Sequence, residues 1–410
     1  MNRSIGPGAI AIVGVVGWLG LVWLGISLYS TTPPHAGFDL ELLLQAGRDV
    51  AAGRSPYDPA LIAGAAPVAE SLFYSYPPLV AQAMALFAGV PSPVMLVGWD
   101  LAAVAGVAAI AAILGRRLAP NRPMARIVVP TVALAPLCFP FAIGLLFGNL
   151  DVFFPLLYGA MLLAVVVPGG GAGAAGTAGG GAALAVASLT KLHPASLAGW
   201  FGIRAVTGDA GARRVFLAAV LVGLAILALS LLVGGAQPWI DYAAVIRAGS
   251  NADLVDPRNA GPAAQVALLI GADDRFARTF QIGVTIAALA ITAAAARPGG
   301  DPVERLARAA VASLVILPVT WYHYPSALIP FGLVAYLRAD DRVARRRVTA
   351  FLAAALVVAA VAIAALPLLW LAIALVLGAV RASRRVHPAD DKPASLHRGD
   401  GGRREPSGRP

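Results

Sequence analysis

The chain has 410 residues, of which 59% are hydrophobic and 13% charged, with a mean hydropathy of +0.78 and a formal charge of +10. Soluble domains carry roughly 25% charged residues, so this composition excludes a soluble globule with one anchor and defines a polytopic membrane protein. The positive charge does not mark a nucleic-acid binder, because the basic residues fall in short segments between apolar runs and in the tail, as membrane topology requires.

The first apolar run, Ala9 to Leu28, is long enough to span and lacks a small-residue cleavage site, so no cleavable signal peptide is expected. "GFDLELLLQAGRDVAAGRSPYDP" (37–59) follows. At about 100° per residue it forms an amphipathic helix with Asp39 on the side of Leu43, Ala46 and Val50, and Glu41, Gln45 and Arg48 opposite. A carboxylate on the apolar face has two readings: an N-cap for a helix 40–51 that Gly53 ends, or a group placed for chemistry beside the membrane. Residues 78–90, between Pro77-Pro78 and Pro91, are too few to cross.

Further apolar runs follow at 94–115, 127–147, 151–168, 182–203, 215–234, 277–296, 307–337 and 348–380, the last reading as two crossings that turn near Pro367. Arginines fill alternate connections: Arg116, Arg117, Arg122 and Arg126; Arg204, Arg213 and Arg214; Arg297, Arg305 and Arg308; Arg338, Arg342 and Arg345 to Arg347; and Arg381, Arg384 and Arg385 after the last run. Placing all of them in the cytoplasm satisfies the positive-inside rule. It makes 182–203 and 307–337 broken hairpins, with tips at "TKLHP" (190–194) and "TWYHYP" (320–325), and it turns 31–77 and 235–276 outward. The Gly/Ala-rich run 168–182 reads as a flexible cytoplasmic loop, and the tail from 386 to 410 as disordered and basic. Residues 1–385 form the single membrane domain. There is no internal repeat, and no charge is expected deep within a span.

On this topology Asp39, Asn149, Asp151, Lys191, His193, Arg258 and His323 all collect at the outer side. Lysine occurs twice, at 191 and 392, against 29 arginines. A lysine at the tip of an apolar hairpin meets either an anion or, by snorkelling, the headgroup layer. His193 and His323 read equally as packing or functional histidines. Cys138, the only cysteine, excludes an intrachain disulfide and a cysteine metal cluster and reads as a packing residue.

The order of an apolar span, "FDLELLLQAGRDVAAGRSPYDP", "FYSYPPLVAQAMALF", "FGNLDVFFPLLY", "ASLTKLHPASL" and "TWYHYPSALIPF" resembles the family-87 glycosyltransferases over about residues 8 to 380. These are polyprenyl-phosphate-mannose-dependent mannosyltransferases of the glycosyltransferase C superfamily. The resemblance implies an all-α bundle of about 10–12 transmembrane helices with an outward-facing juxtamembrane helix. Asp39, Gly53 and Tyr57 match the family's first loop, Tyr76, Pro77 and Pro78 its Tyr-Pro-Pro element, Lys191 and Pro194 its Lys-x-x-Pro, and Trp321 and His323 its Trp-x-His. Two departures stand out. Gly148-Asn149-Leu150-Asp151 replaces Gly-Gln-x-Asn, and "DPRNAGPAAQ" stands where an Asn-Gln-Ser stretch is common.

The resemblance implies inverting transfer of a hexose, mannose first, from a polyprenyl monophosphate to a glycolipid or glycan at the outer face of the plasma membrane. Asp39 would be the general base. Lys191, with Arg258 and His323, would stabilise the leaving phosphate. Tyr57, Tyr76, Asn149, Asp151, His193 and Trp321 would contact substrate. A monophosphate leaving group that basic side chains neutralise calls for no cofactor and no metal. Two other readings stand beside it: a flippase for a polyprenyl-linked sugar, and a non-catalytic subunit of an envelope-assembly complex.

Overall fold

The computed structural model describes residues 7–31, 35–65, 73–166, 173–249 and 252–383, and the segment expected to be a disordered tail lies outside them. No strand occurs among the described residues. In chain order, α1 (Pro7–Tyr29) leads to α2 (Phe38–Ala51), α3 (Pro59–Ile62) and α4 (Pro78–Ala85). Next come α5 (Ser92–Leu118), α6 (Ala125–Leu134), α7 (Phe139–Phe147), α8 (Phe154–Val166), α9 (Gly173–Thr190), α10 (Ala195–Val206) and α11 (Ala210–Gly234). The chain continues through α12 (Gln237–Gly249), α13 (Pro262–Ile270), α14 (Asp274–Ala296), α15 (Pro302–Ser313), α16 (Ile329–Arg338), α17 (Arg342–Val361) and α18 (Leu368–Ala382).

Among the described residues α1, α5, α11 and α14 are long and apolar enough to cross a membrane alone. α6 and α7 together have the length and composition of a fifth, broken span, bent by 73° at the break that holds Pro136. The chain is therefore an all-α polytopic membrane protein. α8, α10, α15, α16 and α18 have 10–15 residues each, about 15–23 Å of helix, which is less than a bilayer core. Helix breaks at both expected tips: α9 and α10 are separated at 191–194, and between α15 and α16 the chain is unwound before a 3₁₀ turn at Tyr324–Leu328. α4 is too short to span, and α17 and α18 divide at Pro367.

Short helices leave backbone groups without helical partners inside an apolar bundle, where each costs free energy unless another donor reaches it. After α15 the chain runs unwound, and side chains meet its carbonyls. Gln281 Nε2 donates to Val315 O at 3.0 Å and Leu317 O at 3.3 Å, Thr285 Oγ1 donates to Ile316 O at 3.1 Å, and Asn259 Nδ2 donates to Pro318 O at 3.1 Å. Asn259 Oδ1 accepts from Thr320 N at 3.0 Å. This trestle carries the segment to Trp321 and His323.

Two expectations need correction. The Gly/Ala-rich run is helical from Gly173 on, within the single helix Gly173–Thr190, and its residues 168–172 lie outside the described residues. Its small residues serve contact: a Cβ on Gly181 would lie 2.5 Å from Ala218 Cβ and 2.6 Å from Val215 O, so α9 meets α11 at near-backbone distance. Between apolar helices in lipid, that closeness is what packing attraction requires. Nor are the spans free of charge. Asp100 lies about 12 Å from the Ser92 end of α5, with Oδ1 buried and unpartnered.

The large core gathers Phe154, Tyr158, Trp200, Phe201 and Phe331 from α8, α10 and α16. A second cluster of Leu40, Leu43, Leu44, Tyr57, Tyr74 and Tyr242 joins α2, α3, α4 and α12 into a layer over one end. The amphipathic reading of α2 holds, with Leu43 and Ala46 buried and Glu41 and Gln45 exposed. Gly53, at φ 71, ends α2 in a left-handed turn, with Arg54 N bonding Asp49 O and Gly53 N bonding Val50 O. At the far end Arg338 pairs with Asp301 at 2.9 Å, tying two of the arginine-bearing connections together.

Gly181→Ala should destabilise the detergent-solubilised protein by about 1–3 kcal/mol through overpacking against α11. Gly179→Ala, where a Cβ meets nothing within 4 Å, should be neutral or slightly stabilising. Thermal unfolding of the two variants distinguishes this interhelical contact from a generic intolerance of alanine in α9.

Candidate active site

The site is assembled where α2 meets the end of α7. Gly37 N donates to Leu146 O at 2.8 Å, which pins the start of α2 to α7. Gly148 ends α7 with φ 65, and a Cβ there would come 2.6 Å from Leu40 Cβ. Glycine is demanded twice, by conformation and by contact. These two junctions set Asp39 and Asn149 side by side.

Helix α2 begins at Phe38 with Gly37 at the N-cap, in a left-handed conformation and with no side-chain cap. The capping reading of Asp39 is thereby corrected: the residue sits within the first turn and turns its carboxylate toward the bundle. Asp39 Oδ2 accepts from Asn149 Nδ2 at 2.7 Å. Asn149 Oδ1 in turn accepts from Asp151 N at 2.9 Å, capping the 3₁₀ turn Leu150–Phe153. Asp39 is half-buried, and its second oxygen has no partner among the described residues.

Asp151 is the hub. Its side chain is 0% exposed, and Oδ2 receives Lys191 Nζ at 2.6 Å. His323 Nε2 lies 3.1 Å from the same oxygen, close enough for an ion pair when protonated but out of line for a full hydrogen bond. Ser326 Oγ donates to Asp151 O at 3.0 Å, fastening the 3₁₀ turn Tyr324–Leu328 to the turn that carries Asp151. Lys191 Nζ also stands over the Tyr324 ring, 4.2 Å from its centroid, and 5.6 Å from that of Tyr76. The ammonium thus has one carboxylate and two aromatic faces.

Tyr76 is held by its neighbours. Tyr57 Oη donates to Tyr76 O at 2.9 Å, and Tyr74 Oη donates to Pro77 O at 2.9 Å. Burial, then the nearby carboxylates Asp39 and Asp151, push the Tyr76 phenol well above its ordinary range. It stays protonated and acts as a donor or a packing surface, not as a base.

The structure therefore brings together Asp39, Tyr76, Asn149, Asp151, Lys191 and His323. Other expected site residues stand around this group. His193 is completely buried, stacked on Tyr324 at 4.8 Å and tilted on Phe154 at 5.5 Å, with neither ring nitrogen bonded. Tyr57 sits in an aromatic cluster with Tyr74 and Tyr242. Trp321 is half-buried against the large core. Arg258 pairs with Asp256 at 2.6 Å on an exposed loop, and the hydrogen bonds from Arg258 hold the Asp256 carboxyl below its usual range. Among the described residues no group of three or more His, Cys, Asp or Glu is arranged to hold a metal.

Tyr324, Ser326, Asn259, Gln281 and Thr285 escaped the sequence reading. Gln281 and Thr285, spaced i,i+4 in the apolar α14 beside buried Ala277 and Ala288, are the one signal that could have found their role. Tyr324 and Ser326 lie within "TWYHYPS" and could have been taken with His323.

A polytopic membrane bundle thus brings a carboxylate, a buried lysine and a histidine together at one end. Residues 74–320, more than half of the chain, match glycosyltransferase family 87, and the chain belongs to that family. It is a membrane glycosyltransferase. The match takes in Tyr76, Asn149, Asp151, Lys191, His193 and Arg258, and it stops short of Asp39, Tyr57, Trp321 and His323. No curated protein and no solved structure matches the chain.

Asp151→Asn should be costly in stability rather than a mild substrate-contact defect. It leaves Lys191 buried without a counter-charge, a loss of about 3–5 kcal/mol. Thermal unfolding should show a large drop for Asp151→Asn and a partial recovery for Asp151→Asn with Lys191→Met. Equal stability of wild type and Asp151→Asn would show that Lys191 is not held by this pair.

Proposed function

We propose that the chain is an inverting transferase that moves a hexose, mannose in the first instance, from a polyprenyl monophosphate to a hydroxyl of a glycolipid or glycan. The observation that carries this reading is the division of labour between two groups at one end of the bundle. Asp39 is half-buried with one oxygen open, and Lys191 is a buried cation at the tip of a hairpin. Asp39 takes the proton of the acceptor hydroxyl as its oxygen attacks the anomeric carbon. The bond from that carbon to the phosphate oxygen breaks, and its electron pair leaves on the phosphate. Lys191 meets that charge, with His323 beside it and Arg258 on the neighbouring loop. Tyr76 and Trp321 provide aromatic surface for the sugar, and His193 and Tyr57 support those groups from behind.

The reading places this end at the outer face of the plasma membrane, because the alternate connections hold the arginines. In a Cys138→Ser background, cysteines introduced at Asp58 and Asp253 should react with an impermeant thiol reagent in intact cells. One at Arg122 should react only after lysis. Labelling of the Arg122 position in intact cells would turn the site to the cytoplasm.

The chemistry is tested with purified protein and a labelled polyprenyl-phosphate hexose. Asp39→Asn should fold and bind the donor but transfer at least about 100-fold more slowly, the usual scale for a general base. Glu41→Gln, which alters a surface pair with Arg48, is the control and should transfer normally. Full activity in Asp39→Asn would remove Asp39 as the base. Wild-type protein that moves the lipid between leaflets without transferring sugar would support a flippase instead.

A further inference from the structure

The surroundings of Asn149 define what its amide must do. Asp151 N–H can only donate, so the atom of Asn149 that faces it, 2.9 Å away, is the side-chain oxygen. The NH₂ group is then obliged to face Asp39 Oδ2, 2.7 Å away. The amide has no freedom to flip. Asn149 is 3% exposed, and its own carbonyl accepts from Trp99 Nε1 at 3.3 Å, so its backbone is held as firmly as its side chain.

We propose that Asn149 is a positioning residue for the transfer: its amide holds one oxygen of Asp39 so that the other is aimed at the acceptor hydroxyl. The inference rests on the reading of Asp39 as the base and extends it. Because Asn149 and Asp151 share one 3₁₀ turn, the same residue fixes the spacing between the base and the Lys191–Asp151 pair that faces the phosphate. Asparagine is the side chain that can do both tasks. Aspartate could cap the turn but would set a second carboxylate against Asp39. Serine could cap it but would not reach.

Two variants separate the tasks. Asn149→Ser keeps a cap for the turn and removes the bond to Asp39. It should fold, hold the donor KM within about threefold, and lower kcat about 10- to 100-fold, the scale of one charge-assisted hydrogen bond. Asn149→Asp is nearly isosteric and should move the acid limb of the kcat/KM profile upward by at least about one pH unit. The sign follows from like charge: a second carboxylate favours protonated Asp39, and a protonated base is inactive, so activity is lost at a higher pH. The other groups facing Asp39 are Tyr76, Lys191 and Tyr324, with Asp151 one step beyond, and both variants leave them in place.

Rates are normalised to monodisperse folded protein, so that lost stability is not read as lost catalysis. A shifted acid limb in Asn149→Asp, with lowered kcat in Asn149→Ser, supports the assignment. Wild-type kcat and an unshifted profile in both, while Asp39→Asn is inactive, would overturn it and leave Asp39 as the base. If Asp39→Asn is itself fully active, both assignments fall together.

Discussion

The pairing of Lys191 with Asp151 is the constraint from which the rest of the site follows. Both side chains are withdrawn from water, and a lone charge in such a place is far costlier than a pair. The pair can form only if the tip of the α9–α10 hairpin and the turn after α7 reach the same point. Each therefore has to be a short, broken element. A continuous helix through residue 191 would carry the lysine past Asp151. The same logic governs the third element, since Ser326 Oγ binds Asp151 O and brings His323 and Tyr324 against the ammonium. Three separate interruptions of helix thus meet at one residue, Asp151.

Interrupted helices impose a second cost, because unwound backbone in an apolar bundle needs donors and acceptors from elsewhere. The chain meets this with Asn259, Gln281 and Thr285 on the stretch after α15. These residues have no place in the chemistry, yet they hold the segment that delivers His323. The polar content of the spans accordingly divides into two kinds: groups that face the reaction, and groups that make the non-helical backbone tolerable.

Much of this was legible in the sequence. Composition and the lengths of the apolar runs gave the all-α membrane class, and the spacing of arginines gave hairpins with tips at Lys191 and His323, where the structure puts them. The periodicity of 37–52 placed Asp39 correctly on the inner face of α2. What failed did so for local reasons. Asp39 was weighed as a cap because Asp favours that position, but the bond from Gly37 N to Leu146 O starts the helix earlier. The Gly/Ala run was read as a loop because glycine loosens an isolated helix, whereas in a bundle the same smallness lets α9 lie against α11. Asp100 was passed over inside an apolar run. The ion pair of Arg258 with Asp256, two residues away, was not read from the sequence either. Pairings of that kind depend on where a flexible side chain turns, which periodicity does not encode.

The two carboxylates of the site show how environment divides one functional group into two roles. Asp151 is fully enclosed and bound to a cation, so its charge is committed and it has nothing to offer a hydroxyl. Asp39 is half-exposed, has one oxygen engaged by an amide, and has no partner for the other among the described residues. Asn149 is what keeps these roles apart, because it is a neutral donor to one carboxylate and an acceptor beside the other. A charged residue at 149 would couple the two acids. A small apolar one would leave Asp39 without its amide donor. On the proposed roles, separation of the acids, rather than the presence of either, is what would let Asp39 serve as a base beside the Lys191 cation without the two neutralising each other.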